Sequence, residues 1–391
     1  MTTAKVKIIL FSILLLSTLG FAQNNSLKVP SKSVSENTLD KMDSELAVIK
    51  GTKDSTTLWV NAKNLTIEGM GWTTGIEDYT RLPEKYKETV TPNVWTLSRH
   101  SAGIHVRFKV KNTTFVSARW TLRKNESMAH MTDQAVNGLD LYVLKNGKWT
   151  FAGPGKPANG LKHEALINKG FELEDETECM IYLPLYNGIT ELELGFSPNA
   201  EVKKVTPLPN KPFVMYGTSI LHGCSASRSG MSFGSMLGRK FNAPVVNLGF
   251  SGNGWTEEYF GNIMGEIDAS VYFIDCLPNM GRFPTQEITD RTVALVRKLR
   301  TLRPQTPIVL VEDRTYTNFK SKPTFNNRRA ALKAAYESLL KETQNLYYVD
   351  GDQLLGNDNE ATVDGSHPSD LGMYRYYLVL EPVLQRILYE R

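Results

Sequence analysis

The sequence predicts an α/β domain with a parallel sheet covered on both faces, preceded by an antiparallel β-sandwich. Two patterns along the chain support this prediction. Between about Thr57 and Ser197, short runs alternate β-branched or aromatic residues with polar ones, and turn residues separate the runs. From Phe213 onward, apolar runs alternate with amphipathic segments. A chain of 391 residues, 41% of them hydrophobic, is long enough to form both cores.

The amino terminus predicts an export signal. Lys5 and Lys7 precede an apolar run from Ile8 to Leu19, and a small residue, Ala22, follows it. The run is shorter than the roughly 20 residues that a membrane-spanning helix needs. We therefore expect cleavage after Ala22 and export to the periplasm or the cell exterior. An uncleaved amino-terminal anchor is the alternative.

The rest of the chain divides by composition and spacing. A stretch rich in Ser, Lys and Asn predicts a leader that packs little, and the Pro-containing stretch Val205–Pro212 predicts a boundary between domains. We therefore predict four segments, which are a signal peptide (1–22), a leader (23–51), a β-sandwich domain (52–204) and an α/β domain (212–391).

Each predicted domain has its own strand pattern. The sandwich strands are predicted at Gly103–Val110, Phe115–Leu122, Leu139–Leu144, Met180–Leu185 and Ile189–Phe196. The parallel strands are predicted at Phe213–Tyr216, Val245–Leu248, Val271–Ile274, Ile308–Val311 and Leu346–Val349. Candidate helices lie between the parallel strands, most clearly at Arg291–Leu302 and Arg328–Leu340.

Composition argues against several classes of function. The net charge is only +4, from 45 basic and 41 acidic residues, and no basic run is long enough to follow a phosphate backbone. We therefore expect no nucleic-acid partner. Cys179, Cys224 and Cys276 lack the spacing of a zinc site or a disulfide framework. The sequence contains neither a pair of histidines at helical spacing nor an Asp-rich loop of metal-ligand spacing. We therefore expect no metal and no cofactor.

Candidate catalytic residues follow the predicted parallel strands, at the edge where such sheets bind ligands. Ser219 comes between a strand and a helix, which would lift its hydroxyl above the sheet. A helix-capping serine is the alternative. Asp364 and His367 share a loop that Gly365 and Pro368 keep out of helix. There the carboxylate can accept from Nδ1–H and leave Nε2 to take the serine proton, although an ordinary surface loop is the alternative.

Two further residues could stabilise negative charge on a tetrahedral intermediate. Gly252 follows the second parallel strand and offers a backbone N–H that no side chain obstructs. Asn279 follows the third strand and offers a side-chain amide. A glycine turn and a loop asparagine are the structural alternatives.

The residue blocks after these strands resemble those of the SGNH (GDSL-type) hydrolase superfamily. The resemblance covers about residue 213 to the carboxyl terminus. It departs from the family pattern at Thr218, where Asp is frequent, and at Pro278-Asn279-Met280, where Gly-x-Asn-Asp is usual. The blocks are Gly217–Ile220, Gly249–Gly254, Asp275–Asn279 and Asp364–Pro368.

This resemblance implies a three-layer α/β/α domain of flavodoxin-like type. It also implies that Ser219 is the nucleophile and that Asp364 and His367 complete a catalytic triad. The oxyanion hole would consist of the N–H groups of Ser219 and Gly252 and the amide of Asn279.

The upstream domain carries a second resemblance. Gly138-Leu139-Asp140-Leu141-Tyr142 is similar to the motif of a β-sandwich (jelly-roll-like) domain found ahead of such hydrolases in bacteria. Alternation along a strand places Asp140 and Tyr142 on one face and the two leucines on the other, so strand packing alone would explain them.

Together the resemblances imply a carboxylic ester hydrolase, acetylesterase-like, that works through an acyl-enzyme. Its expected substrate is an O-acetylated sugar in a polysaccharide. A lipase-like or thioesterase-like hydrolase and a non-catalytic glycan-binding protein are the alternatives. Four other residues near the motifs are expected to have structural or solvated roles, namely His222, His100, Arg99 and Arg314.

Overall fold

The structure is a computed structural model that describes residues 48–54, 56–173, 175–315 and 322–390. The predicted signal peptide and most of the predicted leader lie outside the described residues. Within the described ranges, no helix combines the length and the apolar character that crossing a bilayer requires.

The described chain contains two antiparallel sheets followed by one parallel sheet, which confirms the predicted fold class. The antiparallel strands are β1 (Thr52–Lys53), β2 (Leu58–Asn61), β3 (Thr66–Glu68), β4 (His105–Lys111), β5 (Thr113–Leu122), β6 (Leu139–Lys145), β7 (Lys148–Gly155), β8 (Lys162–Leu173), β9 (Thr177–Tyr182), β10 (Ile189–Phe196) and β11 (Glu201–Lys204). The parallel strands are β12 (Phe213–Gly217), β13 (Val245–Gly249), β14 (Val271–Asp275), β15 (Ile308–Val311) and β16 (Leu346–Val349).

Two helices precede the parallel strands in the chain, and the other helices lie between those strands or after the last of them. The helices are α1 (Pro92–Ser98), α2 (Asp133–Asn137), α3 (Ser219–His222), α4 (Phe233–Phe241), α5 (Tyr259–Gly265), α6 (Thr285–Leu302), α7 (Lys322–Leu339) and α8 (Asp370–Tyr389). The two helices predicted from the sequence correspond to α6 and α7.

The antiparallel sheets form a sandwich around one apolar core. One sheet has the order β1-β2-β10-β5-β8, and the other has the order β11-β4-β9-β6-β7 with β3 beside β4. In β6, the alternate residues Leu139 and Leu141 point into this core. The end of the predicted leader joins this sandwich, because Val48 pairs with Lys203 and the N–H of Ile49 donates to the Val202 carbonyl.

The parallel sheet has the order β13-β12-β14-β15-β16, which is the flavodoxin-like arrangement. All five residues of β12 are buried because the sheet is covered on both faces. Phe213 and Met215 pack into one apolar cluster, whereas Val214 and Tyr216 pack into the cluster on the opposite face. This double burial explains why the parallel strands are apolar at every position.

The sandwich region, residues 48–204, also supplies apolar residues to the cores of the α/β region, residues 213–390. Leu82 and Val94 pack on one face of the parallel sheet, and Val136 and Tyr186 pack on the other. The described residues form one compact unit. Segments from the sandwich region therefore wrap around the α/β region and do not merely precede it.

The Gly-x-Asp-Leu-Tyr motif joins the two regions through Asp140 and Tyr142, and we call this contact the clasp. The Asp140 carboxylate is fully buried and accepts hydrogen bonds from Arg228 Nη1 at 3.0 Å and from the Gly230 N–H at 2.7 Å. The same Arg228 nitrogen donates to the Tyr142 hydroxyl at 2.7 Å, and the guanidinium lies 3.8 Å from the centre of the Phe151 ring. The polar face of β6 therefore binds the α/β region.

Candidate active site

Ser219 lies where the fold exposes backbone donors. Strand β12 ends at Gly217, Thr218 caps α3 with its side chain, and Ser219 is the first residue of that helix. Its N–H therefore has no acceptor within the helix. The loop after β13 packs directly against this turn, since a Cβ on Gly254 would lie 2.5 Å from the Gly217 carbonyl oxygen. Glycine is required for that close approach.

Ser219, His367 and Asp364 form one chain of hydrogen bonds. Ser219 Oγ lies 3.0 Å from His367 Nε2, and His367 Nδ1 lies 2.7 Å from Asp364 Oδ2. The loop before α8 folds around the second carboxylate oxygen, which accepts from the N–H groups of Ser366 at 2.9 Å and His367 at 2.7 Å. Gly365 turns this loop with φ +83°. The three residues predicted from separate motifs therefore come together.

The environment of Asp364 favours a proton on Nδ1 of His367. Partial burial acts to raise the pKa of Asp364, but the hydrogen bonds from the His367 ring, the His367 N–H and the Ser366 N–H outweigh it and lower the pKa to about 2. Asp364 is therefore ionised at neutral pH and accepts the Nδ1 proton. This leaves a lone pair on Nε2 facing the Ser219 hydroxyl.

The two other proposed oxyanion donors, Gly252 and Asn279, lie in the loops that follow β13 and β14. Gly252 is exposed, has φ +70°, and a Cβ built on it would meet nothing within 4 Å, so its backbone borders open space. Hydrogen bonding favours the amide orientation in which Asn279 Oδ1 accepts from the N–H groups of Asn253 at 3.1 Å and Gly254 at 3.2 Å. That orientation leaves the amide Nδ2 as a donor on the opposite side.

Arg314 supports the catalytic loop, a role that the sequence did not indicate. Its buried guanidinium donates to the carbonyl oxygen of Ser366 at 3.0 Å and also to the Ser366 hydroxyl. A salt bridge to Asp313 at 2.7 Å holds the guanidinium in place. Arg314 thus holds Ser366, the residue that precedes His367. Its role is structural, as expected, and it supports the catalytic loop.

The sandwich region reaches the site through His130. The His130 ring lies 5.5 Å from the His367 ring at an interplanar angle of 30°, and its Nε2 lies 3.2 Å from Cys224 Sγ. Burial raises the pKa of the Cys224 thiol. One potential ligand atom from each of His130, Cys224 and His367 falls within 4.8 Å of the others, so these residues could hold a metal ion. No sequence motif indicates His130.

His222, His100 and Arg99 have structural roles, as expected. His222 is fully buried and stacked on Tyr186 at 4.1 Å, and its Nε2 lies 2.8 Å from the Leu185 carbonyl oxygen. Burial lowers the pKa of His222 well below its ordinary value, and nearby Arg81 adds to this effect. His100 is buried beside His222, whereas the Arg99 guanidinium lies 3.8 Å from the centre of the Trp95 ring.

Comparison with known families matches both regions of the chain. The profile of the GDSL-like Lipase/Acylhydrolase family matches residues 210–385. The profile described as the N-terminus of Esterase_SGNH_hydro-type matches residues 57–202. A comparison with curated protein sequences finds no significant match.

Several solved structures share the fold of this chain over most of its length. A GDSL-like lipase structure from Bacteroides ovatus ATCC 8483 is 36% identical, with a TM-score of 0.80, over 85% of this chain and 98% of that one. The salicylyl-acyltransferase SsfX3 from a tetracycline biosynthetic pathway has a TM-score of 0.69 at 17% identity, over 86% of this chain and 98% of that one. A family two carbohydrate esterase from Clostridium thermocellum, in complex with cellohexaose, has a TM-score of 0.55 at 14% identity, over 73% and 93%.

Proposed function

This chain belongs to the GDSL-like lipase/acylhydrolase family and is an ester-bond hydrolase, and we propose that it removes O-acetyl groups from carbohydrate through an acyl-enzyme on Ser219. The observation that carries this proposal is the hydrogen-bonded chain from Ser219 Oγ to His367 Nε2, at 3.0 Å, and from His367 Nδ1 to Asp364, at 2.7 Å. A non-catalytic glycan-binding protein would have no use for this arrangement.

The proposed reaction has two halves that use the same residues. His367 Nε2 takes the Ser219 proton as Oγ attacks the ester carbonyl, and Asp364 stabilises the imidazolium that forms. The developing oxyanion accepts from the N–H groups of Ser219 and Gly252 and from Asn279 Nδ2. His367 then protonates the leaving sugar hydroxyl. A water molecule, deprotonated by His367, attacks the acyl-serine and releases acetate.

The choice of a carbohydrate substrate has two supports. Carbohydrate esterases share the fold, and one of them binds cellohexaose. In addition, Trp255 is half-buried directly after Gly254, in the loop that packs against the Ser219 turn. A partly exposed aromatic ring beside a catalytic turn provides an apolar face on which a sugar ring can stack.

We also propose that the protein acts outside the cytoplasm. Residues 1–22 support this proposal, because two lysines are followed by an apolar run and then by a small residue, as in an export signal. A polymeric substrate is consistent with this location because polysaccharides do not cross the membrane intact.

Exposed apolar residues near the catalytic loop favour a second candidate, a hydrolase for longer acyl chains. Val363, directly before Asp364, is 48% exposed, and Leu371 in the first turn of α8 is 42% exposed. An apolar surface beside the site could accommodate an alkyl chain.

Ester chain length distinguishes the two candidates. We expect kcat/KM to fall from p-nitrophenyl acetate through butyrate to octanoate, and acetate to be released from an O-acetylated polysaccharide. A preference for octanoate would support the second candidate. Failure to cleave any of these esters would contradict both.

A further inference from the structure

Three metal-binding side chains meet beside the proposed nucleophile. His130 Nε2 lies 3.2 Å from Cys224 Sγ, and one ligand atom from each of His130, Cys224 and His367 falls within 4.8 Å of the others. They come from the loop before α2, the turn after α3 and the loop before α8, respectively. No local motif could predict this cluster, because its members are far apart in the sequence.

The chemistry of the three donors suits zinc. Two imidazole nitrogens and one thiolate match the ligands that Zn²⁺ prefers, and a water molecule would complete a tetrahedron. Tetrahedral zinc needs ligand atoms about 3.5 Å apart, so the cluster must contract by only about 1 Å. His130 is exposed and can make this movement. Cys224 is only 1% exposed, and its Sγ contacts the His130 ring.

His367 is already oriented as a metal ligand. Its Nδ1 is bound to Asp364 Oδ2 at 2.7 Å, which directs the Nε2 lone pair away from the carboxylate. Metal-binding histidines commonly have such a carboxylate on the other ring nitrogen. The same Nε2 lone pair lies 3.0 Å from Ser219 Oγ, and one lone pair cannot serve a metal ion and the serine proton together.

We propose that a zinc-like divalent cation binds reversibly to His130, Cys224 and His367 and inhibits the enzyme by occupying Nε2 of His367. The cation is a regulatory ligand and takes no part in ester hydrolysis. Inhibition requires the sandwich region, because His130 is the ligand that belongs to it.

Zinc titration of esterase activity provides the first test. With p-nitrophenyl acetate as substrate, Zn²⁺ should inhibit the whole protein, and EDTA should restore the activity. His130→Ala and Cys224→Ser should each raise the half-inhibitory zinc concentration by about tenfold or more, relative to the uninhibited rate of the same variant. Met128→Ala is the matched control, because Met128 is a half-buried neighbour of His130 without a strong metal ligand. Its zinc sensitivity should not change.

Direct binding of Co²⁺ provides a second test that needs no catalysis. Ser219→Ala protein should bind Co²⁺ and show the charge-transfer absorption of a cobalt–thiolate bond, and Cys224→Ser should remove that band. The proposal is overturned if zinc does not inhibit, if His130→Ala and Cys224→Ser are inhibited like the parent protein, or if no thiolate band appears. Because Ser219→Ala lacks the proposed nucleophile, Co²⁺ binding to this variant tests the metal site independently of the esterase function.

Discussion

Replacing Asp364 with Asn tests whether the carboxylate sets the proton position on His367. Asn has nearly the same shape, and its Oδ1 can still accept from the N–H groups of Ser366 and His367, which lie 2.9 and 2.7 Å from Asp364 Oδ1. The amide NH₂ would then face His367 Nδ1. Two donors cannot share that contact, so the imidazole would place its proton on Nε2, facing Ser219, and could no longer act as a base.

The expected loss follows from this change of tautomer. A substitution of this kind, with geometry intact, lowers kcat by about 10⁴-fold in a well-buried triad. The Asp364 side chain is 41% exposed, so water can partly replace its interaction with His367, and we expect a loss of about 10³–10⁴. This corresponds to about 4–5.5 kcal/mol in the activation barrier. KM should change little.

The assay compares kcat for p-nitrophenyl acetate in the parent protein, Asp364→Asn and the control Asp358→Asn. Asp358 is exposed and pairs with Arg375 at 2.6 Å, so its substitution changes a nearby charge without touching His367. Asp364 has a depressed pKa, so its contribution to stability is fully present above the ordinary value of 3.8 and is lost as the pH falls through about 2. Solvent screening keeps that contribution small. Retention of kcat within about tenfold by a folded Asp364→Asn protein would refute the reasoning.

Three further substitutions probe the remaining parts of the site and the clasp. Asn279→Ala should lower kcat by about 10²–10³ with KM nearly unchanged, since the amide donates only to the developing oxyanion; a rise in KM alone would assign it to substrate binding. Asp140→Ala should lower the free energy of unfolding in urea by about 3–5 kcal/mol, because it leaves Arg228 without its buried partner; unaltered stability would contradict the clasp. Arg314→Lys should lower kcat by about 10–10² at constant KM by releasing Ser366, and equal loss of folded protein and activity would point to a purely structural role.

The α/β region was predictable because its signals are local. Each parallel strand is a short apolar run buried on both faces, and the predicted run Val245–Leu248 matches β13 to within one residue. Ser219, Gly252 and Asn279 directly follow such strands, and parallel strands bring their carboxyl ends to one edge. Topology alone therefore places all three residues at the same edge of the sheet.

The sandwich was less predictable at its edges. The predicted runs did not include β1, β2, β3, β7, β8 or β11, and β1, β7, β8 and β11 form the edges of the two sheets. β7 contains Gly153 and Pro154 and buries few side chains, and in β8 Leu166 is 54% exposed. Burial does alternate along β8, but its buried positions include the polar His163 as well as Ile167, and the apolar Leu166 faces outward, so apolar and polar residues do not alternate in step with burial.

The supporting residues depend on tertiary contacts that no local pattern encodes. Arg314 reaches Ser366 across 52 positions, Asp140 reaches Arg228 across 88, and His130 reaches Cys224 across 94. The sequence places Asp140 on the polar face of its strand but cannot tell which element covers that face.

Covalent labelling of Ser219 tests the central claim most directly. A fluorophosphonate reacts with a serine hydroxyl that a neighbouring base activates, and mass spectrometry locates the adduct. We predict one adduct per chain, on the peptide that contains Ser219. The adduct should be absent from Ser219→Ala and retained in Ser251→Ala, a matched serine in the neighbouring loop. An adduct on another residue, or full esterase activity in Ser219→Ala, would contradict the account.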